Sequence, residues 1–113
     1  MAAALIVGAG DATGGAIAKA FAREGYTACV NRRARNADQL EALVQSIHAE
    51  GYAARAYPAD ARIEEEVVAM VEAIERDVGP IEVAVFNIGA NVNFSILDMT
   101  SQVYRKVWEM AAF

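Results

Sequence analysis

Cysteine and histidine are almost absent: Cys29 and His48 are the sole examples in 113 residues. A single thiol closes no internal disulfide. One thiol and one imidazole build neither a cysteine-rich nor a multi-histidine metal site, so no metal ligands are expected. A basic field is missing as well. Ten Lys and Arg against 15 Asp and Glu leave a net charge of −5, so neither nucleic acid nor an anionic membrane is expected as a partner. No apolar run approaches the roughly 20 residues that span a bilayer. Met1-Ala2-Ala3-Ala4-Leu5 lacks the basic stretch that opens a secretory signal. These absences together point to a cytoplasmic protein. Linkers and low-complexity tracts are lacking too, and 56% hydrophobic against 22% charged residues excludes disorder as the default. Residues 1–113 therefore read as a single domain with a real core.

What is present is alternation. Ala3–Val7 is a continuous apolar run, as in a strand buried on both faces. A helix is expected from about Gly14 to Glu24, with Gly25 as its C-terminal cap. Thr27–Asn31 reads as a second strand. A second helix follows, with Asp38 as a candidate cap and Leu40, Leu43, Val44 and Ile47 forming one apolar stripe; Gly51 ends it. A weaker third strand, Ala53–Tyr57, is closed by Pro58. The third helix, about Ile63–Asp77, carries Glu64, Glu65 and Glu66 in its first turn, where carboxylates favour the positive end of the helix dipole. Ile81–Phe86 is a fourth strand, and a fourth helix is expected from about Thr100 to the last residue. Strands alternating with such helices imply a parallel sheet covered on both faces.

The chemistry-bearing signal lies at the end of the first strand, in Gly8-Ala9-Gly10-Asp11-Ala12-Thr13-Gly14. A strand precedes it and a helix follows, so free N–H groups and the helix dipole face an incoming phosphate. Glycines there allow a tight turn and close approach of a pyrophosphate. Asp11 and Thr13 serve either to bond the ligand or to cap the helix. The second strand ends in Asn31-Arg32-Arg33, with Arg35 nearby. An acidic residue at that place holds a ribose 2′-hydroxyl, whereas arginine accommodates a 2′-phosphate. The arginines favour NADP(H) over NAD(H).

These segments resemble the short-chain dehydrogenase/reductase family. Gly8 and Gly14 match the outer glycines of its T-G-x-x-x-G-x-G turn, while Val7 and Ala12 replace the threonine and the middle glycine. Asn31-Arg32-Arg33 falls where NADP-preferring members are basic. Tyr57-Pro58-Ala59-Asp60 resembles the third-strand ending whose aspartate binds near the adenine, which assigns that role to Asp60. Phe86-Asn87-Ile88-Gly89 resembles the N-N-A-G segment, with Asn87 and Gly89 matching. The resemblance implies an α/β fold: a Rossmann-like, doubly wound parallel sheet of strand order 3-2-1-4, truncated after the fourth helix. It spans the whole chain but only the first half of a usual member. The cofactor-binding set it implies is Gly8, Gly10, Asp11, Thr13, Gly14, Asn31, Arg32, Arg33, Asp60, Asn87 and Gly89.

No catalytic residue is expected in this chain. The family's Tyr-x-x-x-Lys pair is missing, since Val30, Ala56, Ala61 and Trp108 stand four residues after the four tyrosines. The fourth-helix asparagine aligns with Ala111. The implied function is an NADP(H)-dependent oxidoreductase that moves hydride between nicotinamide and a carbonyl or alcohol substrate. This chain supplies the dinucleotide half and is inactive alone. The resemblance places the fourth helix among subunit contacts, so the full-length protein is expected to be a homo-oligomer. The alternative is a non-catalytic dinucleotide-binding or regulatory module. A methyltransferase-like use of Gly8-x-Gly10 would want an acidic residue where Asn31-Arg32-Arg33 stands. Elsewhere, Cys29 reads as a small buried hydrophobe and His48 as a surface residue near a helix end. Ser95 reads as a loop residue without a nearby base, and Trp108 and Phe113 as packing residues.

Overall fold

β-branched and small apolar side chains dominate Ala3–Val7 (β1) and Thr27–Asn31 (β2), and every residue of both is buried. Strands enclosed on both faces have no polar side to alternate with, which is why these runs are continuous. The computed structural model describes residues 2–8, 12–87 and 91–95. Within them follow α1 (Ala12–Arg23), α2 (Ala37–Ala49), β3 (Ala54–Ala56), α3 (Glu64–Asp77), β4 (Ile81–Asn87) and β5 (Asn91–Ser95). The sheet order is β3-β2-β1-β4-β5. The first four strands pair in parallel, with Leu5 beside Cys29 on one side and Ala84 on the other. This is the expected Rossmann-like 3-2-1-4 core.

Two apolar layers sandwich the sheet. Leu5, Val7 and Phe86 point to the face covered by Val67, Met70, Val71 and Ile74 of α3. Ile6, Val30 and Val85 point to the other face, under Ala18 and Ala22 of α1 and Leu40, Val44 and Ile47 of α2. The two-residue period of β1 thus feeds both layers. Alanine at 18 and 22 lets α1 lie close to the sheet. Arg23 Nη2 donates to Glu50 Oε1 at 2.8 Å, and Lys19 Nζ lies 3.5 Å from Glu50 Oε2, which ties the end of α1 to the end of α2.

Two expectations need correction. Asp38 is not the cap of α2: Asn36 holds that position, and Asp38 lies in the first turn. A single 3-10 turn, Ala34–Asn36, closed by Asn36 N donating to the Arg33 carbonyl at 2.9 Å, starts the helical path earlier. Ser95 is not in a loop but ends β5. The outer edge of β4 is covered by β5, which pairs with it antiparallel, Val85 opposite Asn93. The unpaired N–H and C=O groups of that edge are met by a segment whose residues alternate polar and apolar, the period of a strand. The expected fourth helix, with Trp108, Ala111 and Phe113, lies outside the described residues, as do Ala9, Gly10, Asp11 and Gly89.

Candidate functional site

The C-terminal ends of β1, β2 and β3 lie side by side, and each is followed by a turn that carries predicted site residues. β1 is followed by Gly8, whose φ of 81° lies in the left-handed region where a side chain is strained. Its N–H donates to the Asn31 carbonyl at 3.0 Å. α1 starts at Ala12, four residues later, so the first-turn N–H groups and the positive end of the helix sit at this edge. Thr13 is exposed there and Gly14 is buried. An ideal Cβ on Gly15 would meet Leu43 Cδ1 at 3.5 Å, so α1 and α2 pack closely beside the turn. Asn87 ends β4 at the same sheet edge.

Asn31 is 1% exposed. Its amide nitrogen donates to the carbonyls of Tyr57 at 2.8 Å and Ala59 at 3.2 Å. Both amide protons are therefore engaged inside the chain. What Asn31 gives the site is position: it brackets the ends of β2 and β3. The Ala59 N–H completes that bracket by donating to the Arg32 carbonyl at 2.9 Å.

The arginines that follow differ. Arg32 is half-buried and donates through Nη1 to Gln39 Oε1 on α2. Arg33 is exposed and makes no side-chain hydrogen bond or ion pair among the described residues. Its charge is close enough to Asp60 to help hold that carboxyl ionised. A free guanidinium at the end of β2, with no carboxylate on that strand end, suits a dianionic phosphate through charge-assisted, bidentate bonds.

Asp60 follows the bracket by one residue. Its carboxylate accepts from Arg62 Nε at 3.0 Å and the Arg62 N–H at 2.9 Å on Oδ1, and from Arg62 Nη2 at 2.9 Å on Oδ2. The Arg62 side chain, its backbone N–H and its charge bring Asp60 down to about 2. The Asp60 N–H donates to Glu66 Oε1 at 3.0 Å, and its carbonyl accepts from the Ile63 N–H at 3.0 Å. Arg62 and Glu66 are site residues that the sequence reading missed. The signal for Arg62 was available: a cation two residues after an aspartate in a turn that precedes a helix can reach back to it.

Several tempting residues lie elsewhere. Cys29 is buried in mid-strand, and burial pushes its thiol up to about 12. It is not a nucleophile at neutral pH. His48 is exposed near the end of α2, its Nε2 3.0 Å from the Ala54 carbonyl. Glu64 and Glu65 begin α3, and among the described residues no group of three or more His, Cys, Asp and Glu is placed to hold a metal ion. None of the described helices is long and apolar enough to cross a membrane.

The model of one protein family, short chain dehydrogenase, matches residues 2–113. The chain belongs to the short-chain dehydrogenase/reductase family of oxidoreductases. It is 39% identical over 83 residues to a 2,3-dihydro-2,3-dihydroxybenzoate dehydrogenase of Bacillus subtilis, covering 73% of this chain and 31% of that one. A solved short-chain dehydrogenase from Rhodopseudomonas palustris shares 49% identity and superposes with a TM-score of 0.73, over 97% of this chain and 50% of that one. A metagenomic short-chain oxidoreductase solved in complex with NADP is 25% identical, with a TM-score of 0.72 over 78% of this chain and 39% of its own. The chain thus spans from about a third to half the length of these relatives.

Proposed function

We propose that this chain is the nucleotide-binding half of an NADP(H)-dependent oxidoreductase acting on a small carbonyl or alcohol substrate. The observation that carries the cofactor choice is the end of β2. Its last side chain, Asn31, faces inward with both amide protons engaged, and the next free group is the Arg33 guanidinium. No carboxylate stands at that strand end to accept from a ribose 2′-hydroxyl, whereas a 2′-phosphate finds a cation. The cofactor set is Gly8, Gly10, Asp11, Thr13 and Gly14 around the pyrophosphate, Arg32 and Arg33 at the 2′-phosphate, Asp60 at the adenine, and Asn87 and Gly89 further along. Asn31 holds the frame. The donors at the start of α1, the left-handed Gly8 and the free Arg33 fit the adenosine and phosphate parts of the group. When bound, the nicotinamide supplies the hydride.

The full-length protein is proposed to be a cytoplasmic homo-oligomer. With no Tyr-x-x-x-Lys and with Ala111 at the asparagine position, the 113-residue chain is proposed to catalyse nothing by itself. The same two features favour the second reading, a non-catalytic dinucleotide-binding module. NADPH and NADH titrations followed by ligand fluorescence test the cofactor assignment. NADPH is expected to bind at least about 10-fold tighter, the value of one charge-assisted contact. Arg33→Ala is expected to remove that advantage and leave NADH binding unchanged. Equal affinity of the unaltered chain for both overturns it.

A further inference from the structure

We propose that the chain carries a further small-molecule site, at the end of the sheet away from the nucleotide edge, that takes a zwitterion of the amino-acid class, its carboxylate on Arg55 and its ammonium on Asp77. The inference does not rest on the nucleotide-binding reading above.

Thr27 opens β2 and Ala54 opens β3, so both lie at the opposite strand ends from Asn31 and Ala56. A cavity of about 270 Å³ lies there, and its wall includes Thr27, His48, Ala54, Arg55, Asp77 and Val78. Pockets for drug-sized ligands run from roughly 300 to 1,000 Å³, so this one suits a small metabolite and not a dinucleotide. His48 fixes one side of it, since its Nε2 donates to the Ala54 carbonyl across 3.0 Å.

The wall carries one charge of each sign. The Arg55 guanidinium lies 5.9 Å from the centre of the Tyr57 ring, within cation–π reach. It makes no hydrogen bond or ion pair among the described residues. Its N–H donors are thus seated over an aromatic face and left free for an acceptor, and a carboxylate matches their fork. Asp77 is the last residue of α3, where the negative pole of the helix favours a cation. Arg76 stands outside the cavity wall, and its Nε donates to Asp77 Oδ1 at 3.1 Å. Asp77 Oδ2 has no partner among the described residues. The Asp77 side chain is 31% exposed, so its charge is partly shielded from water.

Arg55 and Asp77 are close to one another without pairing. Both act on the buried Tyr57 hydroxyl: burial raises its pKa most, Arg55 lowers it and Asp77 raises it. Yet no ion pair joins the two. The two charges face one locality with room between them. A lone anion drawn to Arg55 is repelled by Asp77, and a lone cation drawn to Asp77 is repelled by Arg55. A molecule bearing both charges satisfies both.

The test titrates the chain at pH 7 with the ω-amino acids from glycine to 5-aminopentanoate, following backbone amide shifts by NMR. Acetate and methylammonium are the single-charge controls. At least one amino acid is expected to bind at least about 10-fold tighter than either control, the value of one hydrogen bond to a charged group. The shifts are expected to centre on Thr27, Ala54, Arg55 and Val78. Arg55→Gln is expected to abolish the advantage and to bind methylammonium at least as well as the parent. Asp77→Asn is expected to abolish it and to bind acetate at least as well. A merely structural role for these residues does not produce that crossed pattern. Arg55 is exposed and Asp77 ends its helix, so both variants are expected to keep the amide spectrum of a folded chain. The inference is overturned if no amino acid binds tighter than both controls, if the shifts centre elsewhere, or if the advantage survives either substitution.

Discussion

Asn31 stands at the strand end where the sequence places it, and there its amide nitrogen makes two contacts that the sequence does not show. Its place at the end of β2 was legible, because the run Thr27–Asn31 ends just where Arg32 and Arg33 begin. Its use was not, since a sequence does not show which carbonyls a buried amide will meet. Two donors facing two carbonyls make a specific prediction. Asn31→Ala leaves the Tyr57 and Ala59 carbonyls without those donors and is expected to cost about 1–3 kcal/mol. Asn31→Asp, the change that would install the acidic residue typical of NAD binding, sets a carboxylate against the same carbonyls in a buried place. It is expected to cost more than the alanine variant, about 3 kcal/mol or above, and to protonate rather than recruit NADH. Denaturant unfolding of the two variants measures the order. An aspartate variant as stable as the parent would mean that the bracket does not hold the strand ends together.

At the level of elements, the sequence was most informative where period and burial agree. β1 and β2 were read with their observed bounds, because a fully apolar run between a glycine and a turn has few other interpretations. The start of α2 was misread because Asp38 is a good capping type. The chain instead enters through a short 3-10 turn, and capping propensity gave way to backbone geometry. β5 was overlooked although Asn91–Ser95 alternates at a strand's period. A short run after a parallel unit leads one to expect a helical crossover, not an antiparallel return. Cys29 reports on the integrity of β2. Its thiol is neutral in the fold and raised from 9.0 to about 12 by burial. Folding therefore disfavours the thiolate. The stabilisation is complete below pH 9 and is lost as pH rises toward 12. Alkylation of Cys29 at pH 8 is expected only when denaturant opens the sheet. Rapid labelling of the folded chain would contradict its mid-sheet position.

For the whole molecule, the parallel order β3-β2-β1-β4 brings four strand ends to one edge, and the family membership rests on the match of residues 2–113 to the short chain dehydrogenase model. The chain spans half of the Rhodopseudomonas relative and 31% of the Bacillus one. It holds the elements proposed to meet an adenosine phosphate and lacks the Tyr-x-x-x-Lys pair. Fold and site separate cleanly here. Leu5, Ile6, Leu40, Ile47 and Ile74 build the two layers, while Arg33 and Asp60 belong to neither and carry the proposed selectivity. The proposed preference is therefore expected to survive without the nicotinamide end of the ligand. Calorimetric titration of the chain with adenosine 2′,5′-bisphosphate and with adenosine 5′-monophosphate isolates that end. The bisphosphate is expected to bind at least about 10-fold tighter, with an advantage that shrinks as salt screens the arginines. Equal binding of the two, or tighter binding of the monophosphate, would contradict the assignment of Arg33 to a 2′-phosphate and with it the NADP(H) reading.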